Sequence, residues 1–134
     1  PAMVEDRKGS IVVIGSMTGK RPLHGRTPYA ASKMGLVGLV RTLAWEAGPA
    51  GIRVNLISPG PIAGERLDGV IAKQAESGGV SVEAAREAFT SASPLQRFVA
   101  AEDVAASALF LASEEACSIT GEDLNVSAGS VTYG

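Results

Sequence analysis

Three residues have types and spacing that could do chemistry. Tyr29 and Lys33 stand four apart, and Ser16 lies thirteen residues before the tyrosine. On a helix, a spacing of four puts two side chains on one face with Cβ atoms about 5–6 Å apart. A free phenol ionises near pH 10 and is a poor general base at neutral pH. An ammonium one turn away favours the phenolate, so such a pair can give and take a proton near working pH. Ser16 could donate its hydroxyl to a carbonyl oxygen as negative charge develops there. Spacing alone does not decide the matter. Tyr-x-x-x-Lys pairs arise by chance in many helices, and a serine often does no more than satisfy turn backbone.

The elements that must position these residues are legible. Residues 11–14, Ile-Val-Val-Ile, closed by Gly15, form a wholly apolar β-branched run, the pattern of a strand buried on both faces of a parallel sheet. Ser16 would then sit at a strand's carboxyl end, where open α/β sheets hold ligands. A loop rich in Gly, Pro and basic residues covers 18–26. Thr27 offers an N-cap and Pro28 a first helical residue, predicting a helix to about Ala47 that stops at Gly48-Pro49. Met34, Leu36, Val37, Leu39, Val40, Leu43 and Trp45 cover more than one stripe of it, predicting contact with the sheet on one side and with another helix or subunit on the other. Ala31, Gly35, Gly38 and Thr42 form a line of small residues that would permit a close approach.

Residues 52–57 predict a second strand, ended by Ser58-Pro59-Gly60-Pro61. Two polar helices follow, at 65–77 and 82–91, separated by Gly78-Gly79, with Ser81 capping the second. An amphipathic helix over 102–113 turns Val104, Ala105, Ala108, Leu109 and Ala112 inward, and 124–126 form a last short strand. Strand, helix, strand, helical insertion, helix and strand predict an α/β fold on a parallel sheet.

Composition narrows the classes. The 134 residues suffice for one domain with a core and not for two. Twelve basic against fourteen acidic residues leave a net charge of −2 with no basic stripe, which argues against nucleic acid. No apolar run approaches the roughly 18 residues of a membrane span. The single cysteine, Cys117, cannot form an internal disulfide, no Cys/His cluster offers a metal site, and this usage suits a reducing, cytoplasmic setting. Cys117 has no cationic neighbour in sequence and is expected to pack. His24, in the Gly/Arg loop without an acidic partner nearby, is expected to be solvated rather than catalytic. Gly60 would let a ligand approach the backbone closely.

The run from Ile11 to Ser16, the segment Tyr29-Ala30-Ala31-Ser32-Lys33, the segment from Arg53 to Gly60 and the ending from Ile119 to Val126 together resemble the short-chain dehydrogenase/reductase family. The four motifs stand in the family's order and span nearly the whole chain. The resemblance implies the C-terminal portion of a Rossmann-like, doubly wound parallel sheet, with residues 1–134 forming the catalytic and substrate half. It implies hydride transfer between NAD or NADP and a small-molecule carbonyl or alcohol. Tyr29 would be the general acid/base, Ser16 would polarise the carbonyl, and Lys33 would support the tyrosine and bond the nicotinamide ribose. Pro59, Gly60, Pro61 and Ile62 would meet the nicotinamide end of the cofactor through their backbone. Residues 64–98 would be a substrate lid, and a homodimer or homotetramer is expected. By family frequency the substrate would be a 3-oxoacyl group.

Two departures accompany the resemblance. Ala63-Gly64 stand where the family often has a threonine that bonds the nicotinamide amide; a backbone group, Glu65 or Arg66 would have to substitute. The glycine-rich pyrophosphate turn, the NAD/NADP-selecting residue and the assisting asparagine belong upstream and are not among these residues. The three strands would be an edge block of a larger sheet, leaving 11–14 as an apolar edge that invites pairing. The alternative expectation is therefore a cofactor-free, oligomerising fragment or pseudoenzyme of the same family.

Overall fold

A computed structural model describes residues 1–132. Three parallel strands, β1 (Gly9–Ile14), β2 (Ile52–Pro59) and β3 (Asp123–Val126), form one sheet in the order β1-β2-β3. Gly9 pairs with Ile52 and Ile14 with Ile57; Leu56 pairs with Asp123 and Pro59 with Val126. Because all three strands run the same way, Ile14, Pro59 and Val126 end along one rim of the sheet.

Parallel strands need crossover helices, and these cover both faces. Helix α2 (Thr27–Ala47) lays Val40 and Ala44 on Ile52, Val54 and Leu56. Helix α5 (Ala101–Ala112) lays Leu111, with Val104 and Ala108, on Ile57, Val12 and Val126. Strand β2 is therefore covered on both sides, and Val54 and Ile57 have no exposed surface. The doubly wound architecture is borne out. Between β2 and α5 lie α3 (Glu65–Gly78) and α4 (Val82–Ser91), which pack on each other through Ile71, Ala75 and Ala85. Ser81 caps α4 by accepting the Ala84 N–H at 3.1 Å.

Several backbone needs are met by side chains from distant sequence. The last turn of α5 contains no basic residue, and Arg53 on β2 supplies one, donating to Leu111 O at 2.6 Å and Ser113 O at 2.9 Å. Asn55, fully buried, donates to Ile119 O and accepts from Glu122 N–H, fixing the approach to β3. The Thr120-Gly121 turn extends the ladder, with Thr120 Oγ1 accepting from Val54 N–H and Gly121 N–H donating to Val54 O.

Four expectations are corrected. The chain begins with a short helix, α1 (Ala2–Glu5), that the sequence reading did not contain. Arg26, not Thr27, precedes α2, because Ala30 N–H already bonds Arg26 O at 2.7 Å and closes the first turn one residue early. Along α5, Ala105, Leu109 and Ala112 face outward while Leu111 is buried; Leu109 is 73% exposed. The helix seats Val104, Ala108 and Leu111, a stripe rotated from the expected one. Cys117 is exposed, since it follows the 3-10 turn beyond α5 rather than entering the core.

Helix α2 does bury one side on the sheet. On its other side Leu39 and Trp45 are exposed, Trp45 at 86%, and Gly35 and Gly38 have open space where a Cβ would be. Among the described residues no helix is long and apolar enough to cross a membrane.

Candidate active site

Strand β1 delivers Ser16 to the rim. Gly15 N–H bonds Ile57 O at 2.7 Å, so β1 remains registered on β2 up to the residue before the serine. Ser16 itself is extended (φ −168°, ψ 150°) and caps the 3-10 turn Met17–Gly19. Its Oγ accepts the Thr18 N–H at 3.1 Å and donates to Thr18 Oγ1 at 3.1 Å. The Thr18 N–H thus orients the serine oxygen and leaves its proton free to be re-aimed from one hydroxyl to another acceptor. Met17 and Thr18 are buried, and a Cβ at Gly19 would run into the Met34 side chain, so the turn is pressed against α2.

Tyr29 and Lys33 lie on consecutive turns at the start of α2. Their predicted shared face is realised: Lys33 Nζ is 5.7 Å from the centre of the Tyr29 ring. Lys33 Nζ also donates to Ile14 O at 3.3 Å, the carbonyl that ends β1. The lysine therefore links the tyrosine's helix to the strand that carries Ser16. Tyr29 is 37% exposed, which leaves it open to a ligand. His24 is exposed, as expected of a solvated loop histidine.

The residues 59–62 leave β2 at the same rim. Gly60 N–H bonds Val126 O at 2.9 Å, and then the segment pairs with the stretch before α5. That pairing uses Pro61 O, which accepts from Val99 N–H, and Ala63 N–H, which donates to Val99 O, both at 2.9 Å. The N–H and C=O of Ile62, by the alternation of a parallel pair, point to the other side of the segment. Gly60 also meets the protein's own chain: a Cβ there would lie 2.8 Å from the Ser127 Cα, so its bareness admits the segment after β3.

Sequence reasoning missed one feature. Lys20 reads as part of a solvated basic loop, yet its side chain is only 5% exposed and lies 2.8 Å from the carboxylate of Asp123, itself 4% exposed. No local signal announced the pair: Asp123 opens β3 and shares it with the polar Asn125.

The family described as enoyl-(acyl carrier protein) reductase matches residues 1–131. The chain belongs to the short-chain dehydrogenase/reductase family. It is 38% identical over 131 residues to the 3-oxoacyl-[acyl-carrier-protein] reductase of Thermotoga maritima, covering 98% of this chain and 49% of that protein. The crystal structure of sorbitol-6-phosphate 2-dehydrogenase from Erwinia amylovora superposes with a TM-score of 0.91 at 32% identity, over 98% of this chain and 52% of that one. A variant of actinorhodin polyketide ketoreductase, solved with NADPH, gives 0.90 at 33% identity, over 98% and 51%. The chain spans about half the length of the relatives it matches. Membership is that of an oxidoreductase family whose members bind NAD(P).

Proposed function

We propose that this chain is the catalytic and substrate half of an NAD(P)(H)-dependent oxidoreductase that interconverts a small-molecule carbonyl and an alcohol. The observation that carries the reading is the convergence at one rim: Ser16 after β1, Tyr29 beside the Lys33 ammonium, and the Ile62 backbone groups after β2. When bound, the nicotinamide dinucleotide supplies or accepts the hydride. In the reducing direction, Ser16 Oγ turns its proton from Thr18 to the substrate's carbonyl oxygen and steadies the charge that grows there. The Tyr29 hydroxyl passes its proton to the same oxygen. Lys33, anchored at Ile14 O, keeps a positive charge beside the ring as the phenol loses that proton and offers its ammonium to the nicotinamide ribose. Pro59, Gly60, Pro61 and Ile62 form the wall for the nicotinamide, with the Ile62 N–H and C=O available to its amide in place of the missing threonine. The segment 64–98 closes over the substrate.

The exposed apolar side of α2, with Leu39 and Trp45, supports assembly as a dimer or tetramer. The homologous reductases make a 3-oxoacyl substrate the first to try. The decisive experiment uses the full natural chain with NADPH, NADH and a panel of ketones. Tyr29→Phe should lower turnover by roughly 10²–10⁴-fold, the share general acid catalysis supplies. Unchanged turnover would refute the assignment.

A second reading is favoured by one observation, the exposed apolar side of α2 with Leu39 and Trp45. It takes the chain as a cofactor-free, oligomerising fragment or pseudoenzyme. Titration of NADH or NADPH followed by nicotinamide fluorescence separates the two: no binding by the full natural chain selects the second.

A further inference from the structure

We propose that Lys20, Asp123 and Ser58 form a buried positioning network that locks the Ser16 turn and the residues 59–62 into one fixed geometry. The inference rests on the oxidoreductase reading above.

Lys20 Nζ lies 2.8 Å from Asp123 Oδ2, and both side chains are at least nine-tenths buried. The contact is an ion pair out of solvent. The other carboxylate oxygen, Oδ1, accepts from Ser58 Oγ at 2.6 Å. Lys20 also donates to Asn125 Oδ1. Asp123 and Asn125 alternate on β3, and Ser58 is the register partner of Asn125. All three therefore share the α2 face of the sheet with Val54 and Leu56. A charged cluster stands inside a layer that is otherwise apolar.

Its members come from the segments that the chemistry must align. Lys20 is four residues beyond Ser16, and its N–H closes the intervening turn on Met17 O at 3.0 Å. Ser58 immediately precedes Pro59. Asp123 holds both from β3, a strand that carries none of the proposed catalytic groups. Well-packed apolar side chains would hold these segments as stably as a buried ion pair does. They would not fix them in direction, because dispersion contacts slide where ion pairs and hydrogen bonds do not. Transfer between a cofactor wall on one segment and a carbonyl held by the other needs that fixed geometry, since a misplacement of about 1 Å costs roughly a hundredfold in rate. Lys20 and Asp123 touch neither substrate nor cofactor in this scheme and act as positioning residues.

The test compares the full natural chain with Asp123→Asn and with the double variant Lys20→Met/Asp123→Leu, the second chosen to restore packing without direction. Hydrogen exchange follows the amides of Thr18, Lys20 and Gly60 against those of Val54 and Leu56, and steady-state kinetics separates kcat from KM. The network predicts faster exchange at the first three amides alone in both variants. It also predicts a kcat lower by roughly tenfold to a hundredfold with KM little changed, even where the double variant melts at the parent temperature. Exchange that rises evenly through the sheet, or a double variant with parental kcat, would overturn it. A parent chain that turns over no substrate sinks the oxidoreductase reading instead. The exchange pattern still decides whether the network couples the two segments.

Discussion

The sheet with α2 and α5 and the helical pair α3–α4 solve the same packing problem on different scales. Ser16, Tyr29 and Lys33 stand on elements tied to β2, which is covered on both faces by two apolar clusters. The α3–α4 pair rests on Ile71, Ala75 and Ala85, flanked by Leu67, Phe89 and Phe98, with the Arg86 guanidinium 5.6 Å from the Phe98 ring centre. Its one ion pair, Arg86 with Asp68, is exposed and adds little. The proposed proton chemistry needs groups that stay put, and the sheet provides for that. The proposed lid needs to open at low cost, and a small separate core allows that.

The comparison can be broken in three ways, taken from the largest expected effect. Leu56→Ala removes a side chain that is 1% exposed between β2 and α2. It should cost about 2–5 kcal/mol of global stability, read by denaturant unfolding. Ile71→Ala removes an equally buried side chain from the α3–α4 pair, the proposed lid. Global unfolding should move less than for Leu56→Ala, while hydrogen exchange across α3 and α4 accelerates and substrate KM rises. Equal global losses for the two variants would make the molecule one cooperative unit and end the distinction.

The smallest effect concerns the junction between the regions. Asp103, in the first turn of α5, accepts the Ala100 N–H and pairs with Arg97, each at 3.0 Å. The Ala100 N–H first, and Arg97 beside it, hold the Asp103 carboxyl below its ordinary value. A carboxylate lowered in the folded state adds stability above the unfolded value, about pH 4, and that contribution vanishes as pH falls through the folded value. Asp103→Ala should therefore melt below the parent at neutral pH and approach it under acid. A melting difference independent of pH would show that the cap acts without its charge.

Legibility followed local periodicity. The β-branched run 11–14, the Tyr29–Lys33 spacing and the Ser81 cap each depend on neighbours within a turn or two, and each was readable. The inward face of α5 was not, because Ala105 and Leu109 are as apolar as Ala108, and only the sheet beneath decides which stripe is buried. Cys117 was misplaced for a related reason: the absence of a cationic neighbour in sequence does not make a buried position in space. The role of Gly60 was half legible. A glycine announces a close approach, but the approaching partner, Ser127, is far along the chain.

By itself the sequence determined the order of the strands and of helices α2 to α5 and the parallel α/β class, since these rest on residue type and short spacing, and it supplied Ser16, Tyr29 and Lys33 as the residues proposed for carbonyl chemistry. Only the tertiary structure decided what those residues lean on. Lys33 reaches Ile14 O because β1 ends beneath α2, and the backbone groups of Ile62 turn away from Val99 because Val99 pairs with those of its neighbours. Lys20 meets Asp123 across more than a hundred residues because register on β2 brings β3 beneath the serine turn. Charges that pair over such distances leave no local pattern, since nothing in either neighbourhood depends on the other until the chain has folded.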